Sequence, residues 1–472
     1  MAAMKRRLTP WMYGVGAVTF LAGLLFGYDQ GVISGALPLL QADLDLSTLE
    51  SEIVTSWVTL GALFGALVAG GTADRIGRRY TAVFAGILFA VGALIEAVAP
   101  GAGMLTVGRV ITGLGVGFAS VAAPLYAAEM APKRLRGRFV STYQLAITVG
   151  IFFAYLADDA LTASDRWRLM FALAVIPGVA LVIGFLVMPE SARWLLKMGR
   201  REDARASLAK VDGPEVADAE LATIESDLEA EALEGQASWG EVFSPGLRRA
   251  LWVGIGLAVL QQVTGINAII YYANEIFAEA GFTTAEEQAK ATLYAVGAVN
   301  VLATLIAVAW VDRFGRRPLL FTGLVGMTVS LAAVGLSFAA LENQPEGATS
   351  TTVGGIVTVL ALVVFIASFA FSMGPIVWTL ISEIYPNRVR GRAISVATAV
   401  NWFAAFLVAQ FFLSIVDAIG ESTTFFIFSA LCVVTYVFVW YFVPETKGRS
   451  LEEIQERWVK RGDRMLEEEH AA

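Results

Sequence analysis

The chain has 472 residues, 57% hydrophobic and 16% charged, with mean hydropathy +0.65 and a net charge of −8. Soluble globular domains carry about 25% charged residues, so the composition argues against an ordinary soluble protein and for a membrane-embedded one. A single cysteine, Cys432, and a single histidine, His470, exclude an internal disulfide and give no Cys or His cluster for a metal.

The N-terminal MAAMKRRLTPW reads as a short basic lead rather than a cleaved signal. Twelve apolar blocks follow, over 11–35, 52–72, 80–99, 104–130, 138–160, 168–188, 249–278, 289–311, 318–341, 352–382, 392–416 and 422–443. Most have the length of about 20 residues that crosses hydrocarbon, which predicts an all-α membrane protein with twelve spans. Residues 1–188 form an N-terminal six-helix half and 249–444 a C-terminal six-helix half. The polar segment 189–248 joins them. Within it SARWLLKMGRREDARASLAKV and VADAELATIESDLEAEAL have helical apolar spacing and predict short cytoplasmic helices on the membrane face. Residues 445–472 form a cytoplasmic tail.

Arginine and lysine crowd alternate loops: Lys5, Arg6 and Arg7; Arg75, Arg78 and Arg79; Lys133, Arg134, Arg136 and Arg138; Arg313, Arg316 and Arg317; Arg388, Arg390 and Arg392. The positive-inside rule puts these loops, and both termini, in the cytoplasm. A plasma-membrane protein, monomeric in the bilayer, is expected.

The chain repeats itself. EMAPKRLRGR at 129–138 recurs as EIYPNRVRGR at 383–392, DRIGRR at 74–79 as DRFGRR at 312–317, and PES at 189–191 as PET at 444–446. Three matches in the same order mark a duplicated six-helix unit in parallel orientation.

Asp29 lies alone in LAGLLFGYDQGVISGALPLL, and Arg109 alone in MLTVGRVITGLGVGFAS. A charge at membrane depth is costly and is a functional candidate by default. Chain direction puts the two at similar depth in one half. Gly23, Gly27, Gly31 and Gly35, and Gly113 and Gly117, form small-residue ridges that permit close helix approach. A buried carboxylate whose arginine withdraws takes up a proton, and one whose arginine returns releases it. The pair therefore predicts proton coupling; a static ion pair is the alternative. Glu96, near the outer end of span 3, is the other candidate for coupling and reads as a snorkelling residue.

A second group is neutral: Gln144 in span 5, Gln261, Gln262 and Asn267 in span 7, Asn300 in span 8, Trp378 in span 10, and Asn401 and Trp402 in span 11. A sugar presents hydroxyls that both donate and accept, on a ring with an apolar face. Amides and an aromatic plate suit it. The alternative is that the amides hold helices together. Gln262 and Asn267 stand about 140° apart on a regular helix. Both can face one ligand only if span 7 breaks, and Gly265 allows that. Gly374 and Pro375 predict a break in span 10.

With GGTADRIGRR, PLYAAEMAPKRLRG, PESARWL, QQVTGINAIIYY, GPIVWTLISEIYP and PETKG in this order, the chain resembles the sugar porter family of the major facilitator superfamily over nearly its whole length. The resemblance implies alternating access, no cofactor beyond the coupling proton, no nucleic-acid partner and no enzymatic step. It also implies that the amide and tryptophan set binds a monosaccharide, with glucose or a related hexose first and xylose next. Bacterial symporters of the family carry Asp at the position matching Asp29. A facilitative uniporter is the main rival, and a membrane sugar sensor a lesser one.

A third group predicts a cytoplasmic latch. Asp74, Arg75, Arg78, Arg79, Glu129, Arg136 and Glu190 in one half mirror Asp312, Arg316, Arg317, Glu383, Arg390 and Glu445 in the other. Topology alone explains the arginines but not the duplicated carboxylates. Pairing in one state and separation in the other gives a two-state element.

Overall fold

The computed structural model describes residues 9–131, 136–234, 238–342, 351–385 and 387–447, and every regular element among them is helical. Twelve stretches are long and apolar enough to cross a membrane, and they are numbered here as spans 1 to 12. They are Pro10–Leu44, Thr48–Ile76, Arg78–Ala97, Ala102–Met130, Thr142–Thr162, Trp167–Val187, Pro245–Tyr271, Ala285–Ala309, Arg316–Glu342, Val353–Glu383, Val389–Ile419 and Glu421–Phe442. They follow the twelve apolar blocks in order. Span 1 runs on to Leu44, past the apolar block, because Leu-Gln-Ala-Asp-Leu are tolerated in a helix. It stops where Asp45 takes φ +52°.

The contacts divide the chain into two units. The first is Met1–Val32, Ala42–Asp45 and Trp57–Gln236; the second is Ile33–Gln41, Leu46–Ser56 and Ala237–Ala472. In the first unit span 3 packs along span 4 on one side and span 6 on the other. Span 1 lies against span 5, where a Cβ on Gly27 would sit 1.9 Å from the Ile147 carbonyl oxygen. In the second unit span 9 packs against spans 10 and 12, and span 7 against span 11. The ends of spans 1 and 2 assigned to this unit are tied by polar contacts. Glu52 is buried and accepts from the Ser414 N–H and hydroxyl, both at 2.7 Å. Ser56 donates to Gln410 at 2.7 Å.

Four spans are not regular. Span 6 is two helices, Trp167–Leu173 and Val175–Val187, ahead of Pro177. Span 7 breaks between the helices Pro245–Val263 and Ile266–Tyr271, where Gly265 takes φ +91°. Span 8 contains a π-helical stretch, Thr292–Ala298. Span 10 breaks at Ser372, three residues before Pro375. Proline has no N–H for the carbonyl four residues back, so the ladder fails on its N-terminal side, at Phe371, rather than at Gly374.

The polar segment forms the helices Ala192–Lys197, Arg201–Val211, Pro214–Glu234 and Trp239–Val242. The first three bury Trp194, Leu195, Ala204, Leu208, Ala217 and Leu221 together. Trp194 Nε1 donates to the Asp74 carbonyl at 2.9 Å, and the Ser207 hydroxyl to that of Glu190 at 2.7 Å. The first three helices are thereby fastened to the DRIGRR end of the first unit.

Candidate functional site

The first unit holds the charged candidates. Arg109 Nη1 donates to Asp29 Oδ1 at 2.7 Å, and both side chains are buried, at 0% and 4% exposure. Glu96 does not snorkel. It is 1% exposed, accepts from the Thr112 hydroxyl at 2.6 Å through Oε1, and brings Oε2 to 3.9 Å from the same Arg109 nitrogen. The reason is the short turn Val98–Gly101, which folds span 3 back onto span 4 and turns Glu96 inward onto that helix. The Phe171 ring centroid lies 5.9 Å from the guanidinium carbon. Tyr28, beside Asp29, is buried and donates to the Met170 carbonyl at 2.8 Å. Gln144 belongs to this unit too, half-buried on span 5.

The second unit holds a chain of amides. Asn267 Nδ2 donates to Gln262 Oε1 at 2.8 Å, and Gln262 Nε2 to Asn401 Oδ1 at 3.2 Å. Asn401 Nδ2 donates to Gln261 Oε1 at 3.0 Å and to the Ala258 carbonyl at 2.9 Å. Gln261 Nε2 then reaches the Met373 carbonyl at 2.8 Å, just past the span 10 break. All four amides are buried. The turn at Gly265 carries Asn267 round to Gln262, which an unbroken helix would prevent. A glycine serves because φ +91° is strained for any residue with a Cβ. Asn300 and Trp402 are buried and Trp378 half-buried, outside this chain of bonds. Asn300 stands two residues past the π-helical stretch of span 8. Such stretches recur at functional sites.

The repeated motifs build one arrangement twice. In the first unit Arg78 Nη2 pairs with Glu129 at 3.0 Å and Nη1 with Asp74 at 3.1 Å, and the Ser191 hydroxyl also donates to Glu129. Glu190 accepts from the backbone N–H groups of Arg78 at 3.2 Å and Arg79 at 3.1 Å, capping the start of span 3. In the second unit Arg316 Nη2 pairs with Glu383 at 3.0 Å, and the Thr446 hydroxyl donates to Glu383 at 2.5 Å. Glu445 accepts from the N–H groups of Arg316 at 3.1 Å and Arg317 at 3.0 Å. Arg79 and Arg317 turn instead to the carbonyls of Leu186 and Trp440. Gly77, at φ +95°, leaves room for Glu190, whose Oε2 would lie 2.1 Å from a Cβ there. Arg75 is exposed, and Arg390 donates to the Tyr385 carbonyl at 3.2 Å. The side chains of Arg136 and Asp312 lie outside the described residues.

The two capping carboxylates differ. Burial pushes the Glu190 carboxyl above its ordinary range, against four opposing effects: N–H bonds from Ser191, Arg79 and Arg78 and the charge of Arg78. Burial acts the same way on Glu445, but there the N–H groups of Lys447, Arg317, Arg316 and Thr446 win and hold it below that range.

Among the described residues three further acids are buried: Glu52, Asp158 and Glu96, the second coupling candidate. For Glu96 the available signal is a lone carboxylate in GILFAVGALIEAVAP, whereas TLESEIV presents Glu52 as an ordinary polar helix entry. A cavity of about 220 Å³ in the second unit, lined by Gln41, Glu275, Glu279, Asp417 and Glu421 among others, contains none of the sequence candidates.

Residues 15–458 match the family model described as "Sugar (and other) transporter". The chain belongs to this family. It is 39% identical over 441 residues to the galactose-proton symporter of Escherichia coli, covering 93% of each chain. It is 38% identical over 448 residues to the arabinose-proton symporter of Bacillus subtilis, again covering 93% of each. Among solved structures, a partially occluded inward-open conformation of the xylose transporter XylE from E. coli superposes with a TM-score of 0.80 at 30% identity, over 94% of this chain and 100% of that one. Another structure of XylE, described as an MFS (major facilitator superfamily) proton:xylose symporter bound to 6-bromo-6-deoxy-D-glucose, gives 0.76 at 31%, over 95% and 99%. The chain is thus a multi-pass membrane transporter with the major facilitator fold, and not an enzyme.

Proposed function

We propose that the chain is a proton-coupled sugar symporter of the plasma membrane, importing a monosaccharide by alternating access as a monomer. Glucose or a related hexose is the first cargo to test, and xylose the next. The observation that carries the reading is the buried Arg109–Asp29 bond at 2.7 Å. A buried carboxylate whose opposite charge is movable can take and give a proton as the protein changes state. The names of the relatives, with galactose, arabinose and xylose as their sugars, support sugar and proton as the pair of cargoes.

In this reading Asp29 is protonated from outside while sugar binds Gln261, Gln262, Asn267, Asn300 and Trp378, with Gln144, Asn401 and Trp402 completing the site. The amide chain suits sugar binding, because each member can exchange an amide partner for a sugar hydroxyl at little net cost. The sugar is gripped chiefly by the second unit and the proton by the first. After sugar and proton leave inside, Asp29 returns to Arg109. The basic motifs orient both termini to the cytoplasm. The mirrored Arg78–Glu129 and Arg316–Glu383 groups serve as a latch that biases the outward-open state.

Proteoliposome uptake of labelled glucose, with and without an imposed inward proton gradient, tests the proposal. Gradient-driven accumulation above equilibrium is expected. Equilibration alone would make the protein a uniporter. No glucose uptake would shift the cargo to xylose, galactose or polyols.

A further inference from the structure

Arg109 is shared. Its Nη1 atom faces Asp29 Oδ1 at 2.7 Å and Glu96 Oε2 at 3.9 Å. All three residues are buried. With every group ionised the cluster carries two negative charges and one positive. A net charge buried away from water is costly, and one proton removes it.

Among the described residues, the neighbouring elements offer no second cation to the cluster. Span 4 contributes Glu129 at its far end, beside Arg78. Span 6 contributes Arg168, which is engaged by Asp43 at 2.9 Å and by the Ala99 carbonyl at 3.3 Å. The helix Val175–Val187, packed on span 3, has no charged residue. Tyr28, next to Asp29 in the chain, is bonded to the Met170 carbonyl, and the buried Asp158 of span 5 lies near Tyr28.

We propose that Glu96 shares the coupling proton with Asp29, so that the two carboxyls and Arg109 form one proton-binding unit. This rests on the coupling role assigned to Asp29 above. Thr112 fits the assignment. Its hydroxyl donates to Glu96 at 2.6 Å, and a hydroxyl can equally accept from a protonated carboxyl. Glu96 can therefore hold or release the proton without losing its partner. When Asp29 is drawn to Arg109, the proton resides on Glu96; when Asp29 takes the proton, Glu96 is left to the arginine. Two such carboxyls titrate as a pair.

The test is gradient-driven sugar uptake in proteoliposomes as a function of external pH, for wild type, Asp29→Asn, Glu96→Gln and Glu96→Asp. Glu96→Gln removes the competing charge and leaves Asp29 as the sole claimant on Arg109. Half-maximal uptake should then require about tenfold more protons, a fall of about one pH unit in the midpoint. Glu96→Asp keeps the charge and should restore most of the wild-type midpoint. A Glu96→Gln midpoint equal to wild type, whatever its rate, would overturn the proposal while leaving the role of Asp29 intact. Infrared difference spectra give a reading independent of transport. At a pH between the wild-type and Glu96→Gln midpoints, the protonated-carboxyl band of wild type should be absent from both Asp29→Asn and Glu96→Gln, because either amide leaves the other carboxylate ionised and paired with Arg109. A band lost in only one variant would refute sharing. Should wild type ignore the gradient, the coupling reading falls, and the spectra still decide whether the proton is shared.

Discussion

The two units are alike at their motif-bearing ends and unlike in their interiors. Arg78, Glu129, Glu190 and Ser191 find their counterparts in Arg316, Glu383, Glu445 and Thr446, down to which backbone N–H groups are capped. Inside the spans the first unit buries a guanidinium and two carboxylates, whereas the second buries four amides. Duplication kept the ends, where each half needs the same helix starts and the same positive face. The interiors diverged into one that is rich in charge and one that is rich in neutral donors and acceptors. Charges respond to protons and amides do not, which is the physical basis for the proposed division of the two cargoes between the halves.

That contrast can be broken first by stability. Arg109→Leu leaves two buried carboxylates without their cation and should cost about 3–5 kcal/mol, read as a lowered melting temperature in detergent. Asn401→Ala strands only neutral partners and should cost about 1–3 kcal/mol. Equal losses would mean that the charge in the first unit is better solvated than its burial implies. The next effect is on the cargo. Gln262→Ala should raise the sugar KM about 10–100-fold, the equivalent of about 1.4–2.8 kcal/mol, with the proton dependence of uptake unchanged. A change in proton dependence alone would reverse the assignment of the halves.

The mirrored ends can be sharpened in the same way. Glu129→Gln weakens the Arg78 pair and should lower the accessibility of a cysteine placed on the outer side of the transport pathway. Unchanged accessibility would reduce the motif to a topology signal. The smallest effect is the opposite pH response of the two caps. The Glu190 carboxyl is held above its usual value of 4.5, so its contribution to stability is full in acid and is lost as pH rises above that value. The Glu445 carboxyl is held below 4.5, so its contribution is present above that value and is lost as pH falls. Glu190→Gln should therefore relatively stabilise the protein near neutral pH, and Glu445→Gln should destabilise it there, in pH-resolved thermal melts.

Much of this arrangement is legible in the residues. Asp29 and Arg109 stand out because nothing near them in sequence shares their charge, and the motif repeats carry the duplication. The amides are legible as a set, but not their order of bonding, which depends on the reversal at Gly265 and on the Met373 carbonyl that the break in span 10 brings to Gln261. The break in span 10 falls earlier than its Gly-Pro pair suggests, because proline disrupts the turn before it rather than its own position. Glu96 departs from expectation for a similar reason. Its nearness to a helix end suggests water, whereas its face is set by the turn that lays span 3 on span 4. Helix ends are visible along a chain, and helix faces depend on the neighbour.

The most direct test of the divided labour is Asp29→Asn, with accumulation, sugar counterflow and sugar binding measured on one preparation of proteoliposomes. Accumulation driven by a proton gradient should disappear, while counterflow and the sugar Kd stay close to wild type, because the amides of the second unit are untouched. Loss of binding together with accumulation, or accumulation that survives, would contradict the account.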